Sequence, residues 1–192
     1  MTVYDLLFLV VFLTTVVMMC AAVVMTLRGS RSQAGRVMTA LTAVLGAYLL
    51  TIAVVSLTTP QQVAAFKDTW CSDEWCVSVD RVDRTPSAAG VTYIVDLRLS
   101  SRSRGRPQRE RGVGVYLIDD SGRHYEARIA PGAVPFDTLL QPGQSIVASR
   151  LFVLPGDANN PSLVVTHPGF PRMLIIGEDG SLFHRPRLFM LQ

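Results

Sequence analysis

Two long apolar runs open the chain, and a period-two alternation of apolar and polar residues fills most of the remainder. Leu6 to Leu27 and Val37 to Leu57 contain no Asp, Glu, Lys, Arg or His. At about 1.5 Å per residue, each run is long enough to cross a roughly 30 Å hydrocarbon core as an α-helix, which satisfies its own backbone groups there. A cleaved signal peptide fits the first run poorly: no basic segment precedes it, and its length exceeds the usual ~7–15 residues. The pattern predicts a two-helix transmembrane hairpin over residues 1–57, with spans 6–27 and 37–57. Ala43 and Ala47, with Gly46 nearby, form a small-residue spacing that suits close helix approach or ordinary membrane composition. Residues 58–69, containing Pro60, read as a short stem.

From Cys76 onward the period changes to two. Val77 and Val79 suggest a first strand, with Val82 out of phase. Val91, Tyr93, Val95, Leu97 and Leu99 then alternate with Thr92, Ile94, Asp96, Arg98 and Ser100, as a strand with one buried face does. Further strands are expected at Val113 to Leu117, Arg123 to Tyr125, Ser145 to Leu154, Leu163 to Thr166, Met173 to Ile176 and Leu182 to Leu191. Asp119-Asp120-Ser121-Gly122 and Pro142-Gly143 supply turn chemistry between them. Turns at intervals of about ten residues predict an all-β sandwich of about seven strands over residues 70–192.

The order of these motifs carries a resemblance. The strand Val91 to Leu99 is followed by Tyr116-Leu117 with Asp120-Ser-Gly-Arg-His-Tyr125, then Leu140-Gln-Pro-Gly-Gln-Ser145 and Phe152-Val-Leu-Pro155. Over roughly residues 76–168 this resembles the telokin-like, immunoglobulin-type β-sandwich of bacterial membrane-anchored proteins and lipoproteins. The resemblance implies an immunoglobulin-like fold and brings no catalytic residues with it.

Charge refines the picture. Apolar residues make up 49% of the chain and charged residues 17%, against roughly 25% charged in an average soluble domain. Of the net charge of +3, Arg28, Arg31 and Arg36 sit between the two apolar runs. The positive-inside bias places loop 28–36 in the cytoplasm and both termini and the β domain outside it, at a bacterial inner (cell) membrane. What remains for the β domain is close to neutral and gives no electrostatic footprint for nucleic acid. Lys67 is the single lysine among many arginines, a usage that suggests a GC-rich bacterial genome.

Candidate chemistry concentrates in Trp70-Cys71-Ser72-Asp73-Glu74-Trp75-Cys76. Outside the cytoplasm Cys71 and Cys76 are expected to pair as a structural disulfide. Thiol exchange or metal binding is the alternative, disfavoured by the acidic residues between them, which raise thiol pKa values. Cys20 falls inside the first apolar run and reads as a small apolar residue. Trp70 suits a membrane interface and Trp75 a sandwich core; together they also suit an aromatic shelf for a partner. Arg102, Arg104, Arg106, Arg109 and Arg111 crowd a loop that Ser101, Ser103 and Gly105 are expected to keep flexible. Such a run is a solvated loop or a surface for an acidic partner or lipid phosphates. His124, His167 and His184 are too scattered for a metal-ligand spacing. Asp119 and Asp120 read as turn residues rather than paired acids, and no nucleophile elbow or phosphate-cradling loop occurs. The apolar tail from Ile175 to Leu191 reads as a docked edge strand or a partner-binding strand. The expected role is therefore non-catalytic, without metal or cofactor: an accessory module beside the lipid bilayer or a membrane protein complex. The rival is a membrane-tethered thiol-redox or metal-handling protein using Cys71 and Cys76.

Overall fold

The computed structural model describes residues 3–87, 90–130, 132–167, 171–177 and 180–191. It divides into two compact units, Met1–Pro60 with Gly169–Arg185, and Gln61–Pro168 with Pro186–Gln192. The first unit is built on α1 (Val3–Leu27) and α2 (Arg31–Thr58), both long and apolar enough to cross a membrane. The join is tighter than the expected loop 28–36. Gly29, at φ +80°, stops α1 in a Schellman motif: Gly29 N–H donates to Thr26 O and Ser30 N–H to Met25 O. Helix α2 starts at once, with Gln33 and Ala34 N–H donating to Ser30 O. Arg31 and Arg36 thus lie on α2 rather than in the loop. The apolar run marks the length able to sit in hydrocarbon, whereas backbone bonding carries the helix past it.

The same unit holds a segment that the alternating pattern assigns to the sandwich. Residues 171–177 and 180–185 form no strand. Arg172–Leu174 is a single 3-10 turn, Gly177 and Phe183 have positive φ, and Pro186 comes next in the chain. The Tyr48 hydroxyl donates to Leu174 O at 2.7 Å. Tyr48, Ile52 and Ile176 form a buried cluster with Phe8, Val55 and Leu182 around it. The strand expected at Met173–Ile176 is therefore absent, and that expected over Leu182–Leu191 shrinks to Leu188–Met190. Glu178 and Asp179 of the expected tail lie outside the described residues, as does Gln192 at the end of the expected domain.

The second unit is a β-sandwich-like domain of two sheets, with nine strands among the described residues. One sheet has the order β2-β3-β4-β7: β2 (Thr69–Ser72), β3 (Trp75–Ser87), β4 (Gly90–Ser101) and β7 (Ser145–Leu154). The other runs β1-β9-β8-β5-β6: β1 (Val63–Ala64), β9 (Leu188–Met190), β8 (Ser162–Thr166), β5 (Gly114–Ile118) and β6 (His124–Glu126). The alternation along β4 is as the pattern demands, with Tyr93, Val95, Leu97 and Leu99 buried. Val82 is out of phase because the register of β3 on β4 shifts between Val79 and Arg81. One extra residue reverses the parity, so Val79 opposite Leu97 and Val82 opposite Val95 both face inward. Trp75, Phe152, Leu117, Leu163 and Phe189 fill the core between the sheets.

Candidate functional site

The cysteine-tryptophan stretch folds as the β2–β3 hairpin. Ser72 pairs with Trp75 and Cys71 with Cys76 across a turn made by Asp73, at φ +54°, and Glu74. Cys71 and Cys76 are joined by a disulfide. Cys76 is fully buried and Cys71 half-buried. An attack on the accessible Cys71 sulfur has to expel a Cys76 thiolate into an apolar interior, which opposes exchange chemistry. Both tryptophans belong to the sandwich core, Trp75 at 1% exposure with its indole N–H unpartnered among the described residues and Trp70 at 9%. Neither offers an open aromatic shelf, and Trp70 is a core residue rather than an interface anchor. The reason is register: Trp70 faces Val77 across the hairpin, inside the same apolar layer.

Glu74, between the cysteines, reaches out to the arginine loop. Its carbonyl accepts from Arg102 N–H at 2.7 Å, and its carboxylate accepts from Gln108 Nε2. The loop is held elsewhere too. Ser101 and Ser103 are buried; Ser101 exchanges backbone bonds with Gln144 and Gly143, and the Ser103 hydroxyl donates to Arg106 O at 2.7 Å. Gln108 and Leu140 exchange two backbone bonds of 2.8 Å, and His167 Nε2 lies 2.8 Å from Arg111 O and 2.7 Å from Glu110 Oε1. The serines that suggested flexibility instead fix the loop. Arg102, Arg104, Arg106, Arg109 and Arg111 are all exposed. No side chain among these five is hydrogen-bonded or ion-paired to another described residue.

The remaining candidates separate. His124 stacks on Tyr116 at 4.7 Å, His167 sits at the end of the arginine loop, and His184 belongs to the unit with the helices. Asp119 and Asp120 part as well: Asp119 is buried, whereas Asp120 is exposed and accepts from Asn160 Nδ2 at 2.7 Å. Asp119 accepts from Ser121 N–H and Oγ–H, Arg123 N–H and Nε, and Tyr125 Oη–H. Burial pushes its carboxyl up, but the bonds from Ser121, Arg123 and Tyr125 outweigh that and hold it well below the usual carboxylate range. Arg123 also reaches Asp157 at 2.9 Å, so the group is a structural cap on the β5–β6 turn.

A further charged residue, Arg150, carries no motif that marks it in the sequence. It lies on β7 with 3% exposure, its guanidinium 3.9 Å from the centre of the Phe136 ring. Nη1 and Nη2 donate to Val134 O at 3.2 and 3.1 Å, and Nη1 donates to Ser149 O at 2.8 Å. Burial lowers its pKa from the usual guanidinium value. It lines a groove of about 600 Å³ with Val113, Ala127, Ile129 and Phe136 in its walls. Glu110, Arg111, Glu126 and Asp137 also border this groove. The available signal was a charged residue in the otherwise apolar row Ile146, Ala148, Arg150, Phe152, Leu154 of β7.

No family model and no curated protein matches the chain. Among solved structures it is similar to an uncharacterized β-sandwich protein from Clostridium difficile, at 7% identity and a TM-score of 0.46, covering 70% of this chain and 96% of that one. It is also similar to the yjhA protein from Bacillus subtilis, at 15% identity and TM-score 0.46, covering 67% and 99%. A third is a conserved hypothetical protein from Bacillus anthracis, at 15% identity and TM-score 0.41, covering 54% and 88%.

Proposed function

We propose that this chain is a non-catalytic accessory module of a bacterial membrane, in which α1 and α2 span the bilayer and the sandwich, of telokin-like immunoglobulin type, stands outside the cytoplasm. In this reading the arginine loop meets an acidic face of a protein in a membrane complex. The observation that supports it most is a cluster of five exposed arginines, unpartnered among the described residues, on a loop tied down at both ends. Guanidinium groups held by a fixed backbone lose less freedom when they meet carboxylates than those of a mobile loop do. Like charges gathered without internal counter-ions also favour an anionic surface across the interface.

The test is purification of the intact protein from its native membrane, beside a variant with Arg102, Arg104, Arg106, Arg109 and Arg111 changed to Gln. The wild type is expected to retain a defined partner that is released by raised salt and absent from the variant, while both melt alike. Retention of the same proteins by both chains overturns the reading. Binding of the wild type to anionic vesicles without any protein partner moves the loop's target to lipid phosphate and overturns the protein-partner form of it.

A further inference from the structure

Arg150 occupies a place that the fold gives to apolar side chains. Along β7 the inward row is Ile146, Ala148, Arg150, Phe152 and Leu154, and Ala148, Phe152 and Leu154 are completely buried. A guanidinium taken from water is costly unless an anion compensates it. No carboxylate among the described residues forms an ion pair with Arg150. Two carbonyl oxygens and a ring face partly solvate the cation without neutralising it. An aliphatic side chain in this row would serve the core better, so packing does not account for the residue. Arg150 is among the residues that line a groove, the side from which an anion would approach.

We infer that this groove binds the carboxylate of an aspartate or glutamate presented by an apolar peptide segment of a protein partner, with Arg150 as the counter-ion. The walls choose the flanks: Val113, Ala127 and Phe136 are partly buried, and Ile129 stands 69% exposed with no apolar cover. The rim chooses the charge. Exposed Glu126 and Asp137 border the same groove and oppose any anion, a doubly charged phosphate more than a single carboxylate, while exposed Arg111 on the rim and Arg150 offset them. Glu110 is already engaged with His167. Arg111 is the loop arginine that also borders this groove; the site otherwise goes beyond the arginine loop, for Arg102, Arg104, Arg106 and Arg109 do not line it.

The experiment uses the full chain in detergent micelles, with arginine side-chain and backbone amide resonances followed by NMR. The probes are acetyl-Leu-Glu-Leu-amide, its Gln counterpart and its phosphoserine counterpart. The Glu peptide is expected to shift the Arg150 Nε–H and the Ile129 and Phe136 amides saturably. The Gln peptide and the variant Arg150→Met are each expected to weaken binding by at least about tenfold, the loss typical of removing one partner from a buried charge pair. Arg150→Met should melt no lower than the wild type, since an apolar chain then fills an apolar row. The fourfold change of Arg102, Arg104, Arg106 and Arg109 to Gln should leave peptide affinity unchanged, which separates this site from the loop. Equal affinity for the Glu and Gln peptides overturns the inference, as does tighter binding of the phosphoserine peptide. Undiminished binding by a folded Arg150→Met protein also overturns it, as does the absence of any saturable shift at the groove. If Arg150→Met fails to fold, the Glu-against-Gln comparison on the wild type decides alone.

Discussion

Five hydrogen bonds converge on the Asp119 carboxylate, three on Oδ1 and two on Oδ2. Because its folded-state pKa is depressed, the unfolded chain takes up its proton at a higher pH than the folded one. Its contribution to stability is therefore full above the ordinary carboxylate pKa of about 4 and drains away as pH falls towards the folded value. Asp119→Asn should lower the melting temperature at neutral pH and flatten its decline on acidification. Tryptophan fluorescence is the suitable readout, since both tryptophans lie in the sandwich core; an unchanged acid slope would remove Asp119 from that role. Replacing Cys71 and Cys76 together by Ala should cost roughly 2 kcal/mol in a denaturant titration followed the same way, near the chain-entropy value for a short loop. A double variant that unfolds like the wild type would show the bond to be idle. The cysteine pair was legible because its residues stand apart from other cysteines. The destiny of the tryptophans was not, since an indole between a stem and a strand suits either an interface or a core until register is known.

At the level of elements, legibility followed whether one face of a strand was polar. Strand β4 alternates and could be phased by eye, whereas Ser145 to Leu154 carries Val147, Leu151 and Val153 on one face and Ile146, Ala148, Phe152 and Leu154 on the other. Its parity was therefore hidden, and with it the groove. The tail failed for another reason: apolar composition from Ile175 to Leu191 looked like strand, but positive φ at Gly177 and Phe183 breaks the extended backbone that a strand requires. Gly90 gives the sharpest test of how the end of the β3–β4 hairpin meets β7. It has φ +129°, and a Cβ there would collide with the Leu154 carbonyl oxygen on β7. Gly90→Ala should therefore destabilise the sandwich by about 1–3 kcal/mol or more, strain and displacement acting together. A fluorescence melt within about a degree of wild type would mean that the hairpin relaxes freely.

For the whole molecule, the two helices could be read from hydropathy, but the grouping of Gly169–Arg185 with the helices could not. That grouping depends on Tyr48, Ile52 and Ile176 meeting, a contact between residues far apart in the chain that no local pattern encodes. The proposed orientation can be tested with single cysteines placed in a Cys20→Ser background. Ser32→Cys, at the start of α2, should be shielded from a membrane-impermeant maleimide in intact cells. Gly105→Cys should react, because Gly105 is exposed with open space where a Cβ would project. The reverse labelling pattern would place the sandwich in the cytoplasm and with it a disulfide in a reducing compartment.

The parallel pairing of β1 with β9 joins Val63 to Leu188 and Ala64 to Phe189. Leu188 N–H extends it by donating to Gln62 O, and Gln61 Nε2 by donating to Pro186 O. Its two strands begin three residues after Pro60 and three after Arg185, where the chain enters this unit. A pull travelling along the backbone from Pro60 is met by these few bonds before it reaches β9, whose Phe189 belongs to the core. Tension from that side thus arrives first at a tack stitch on the sheet's margin.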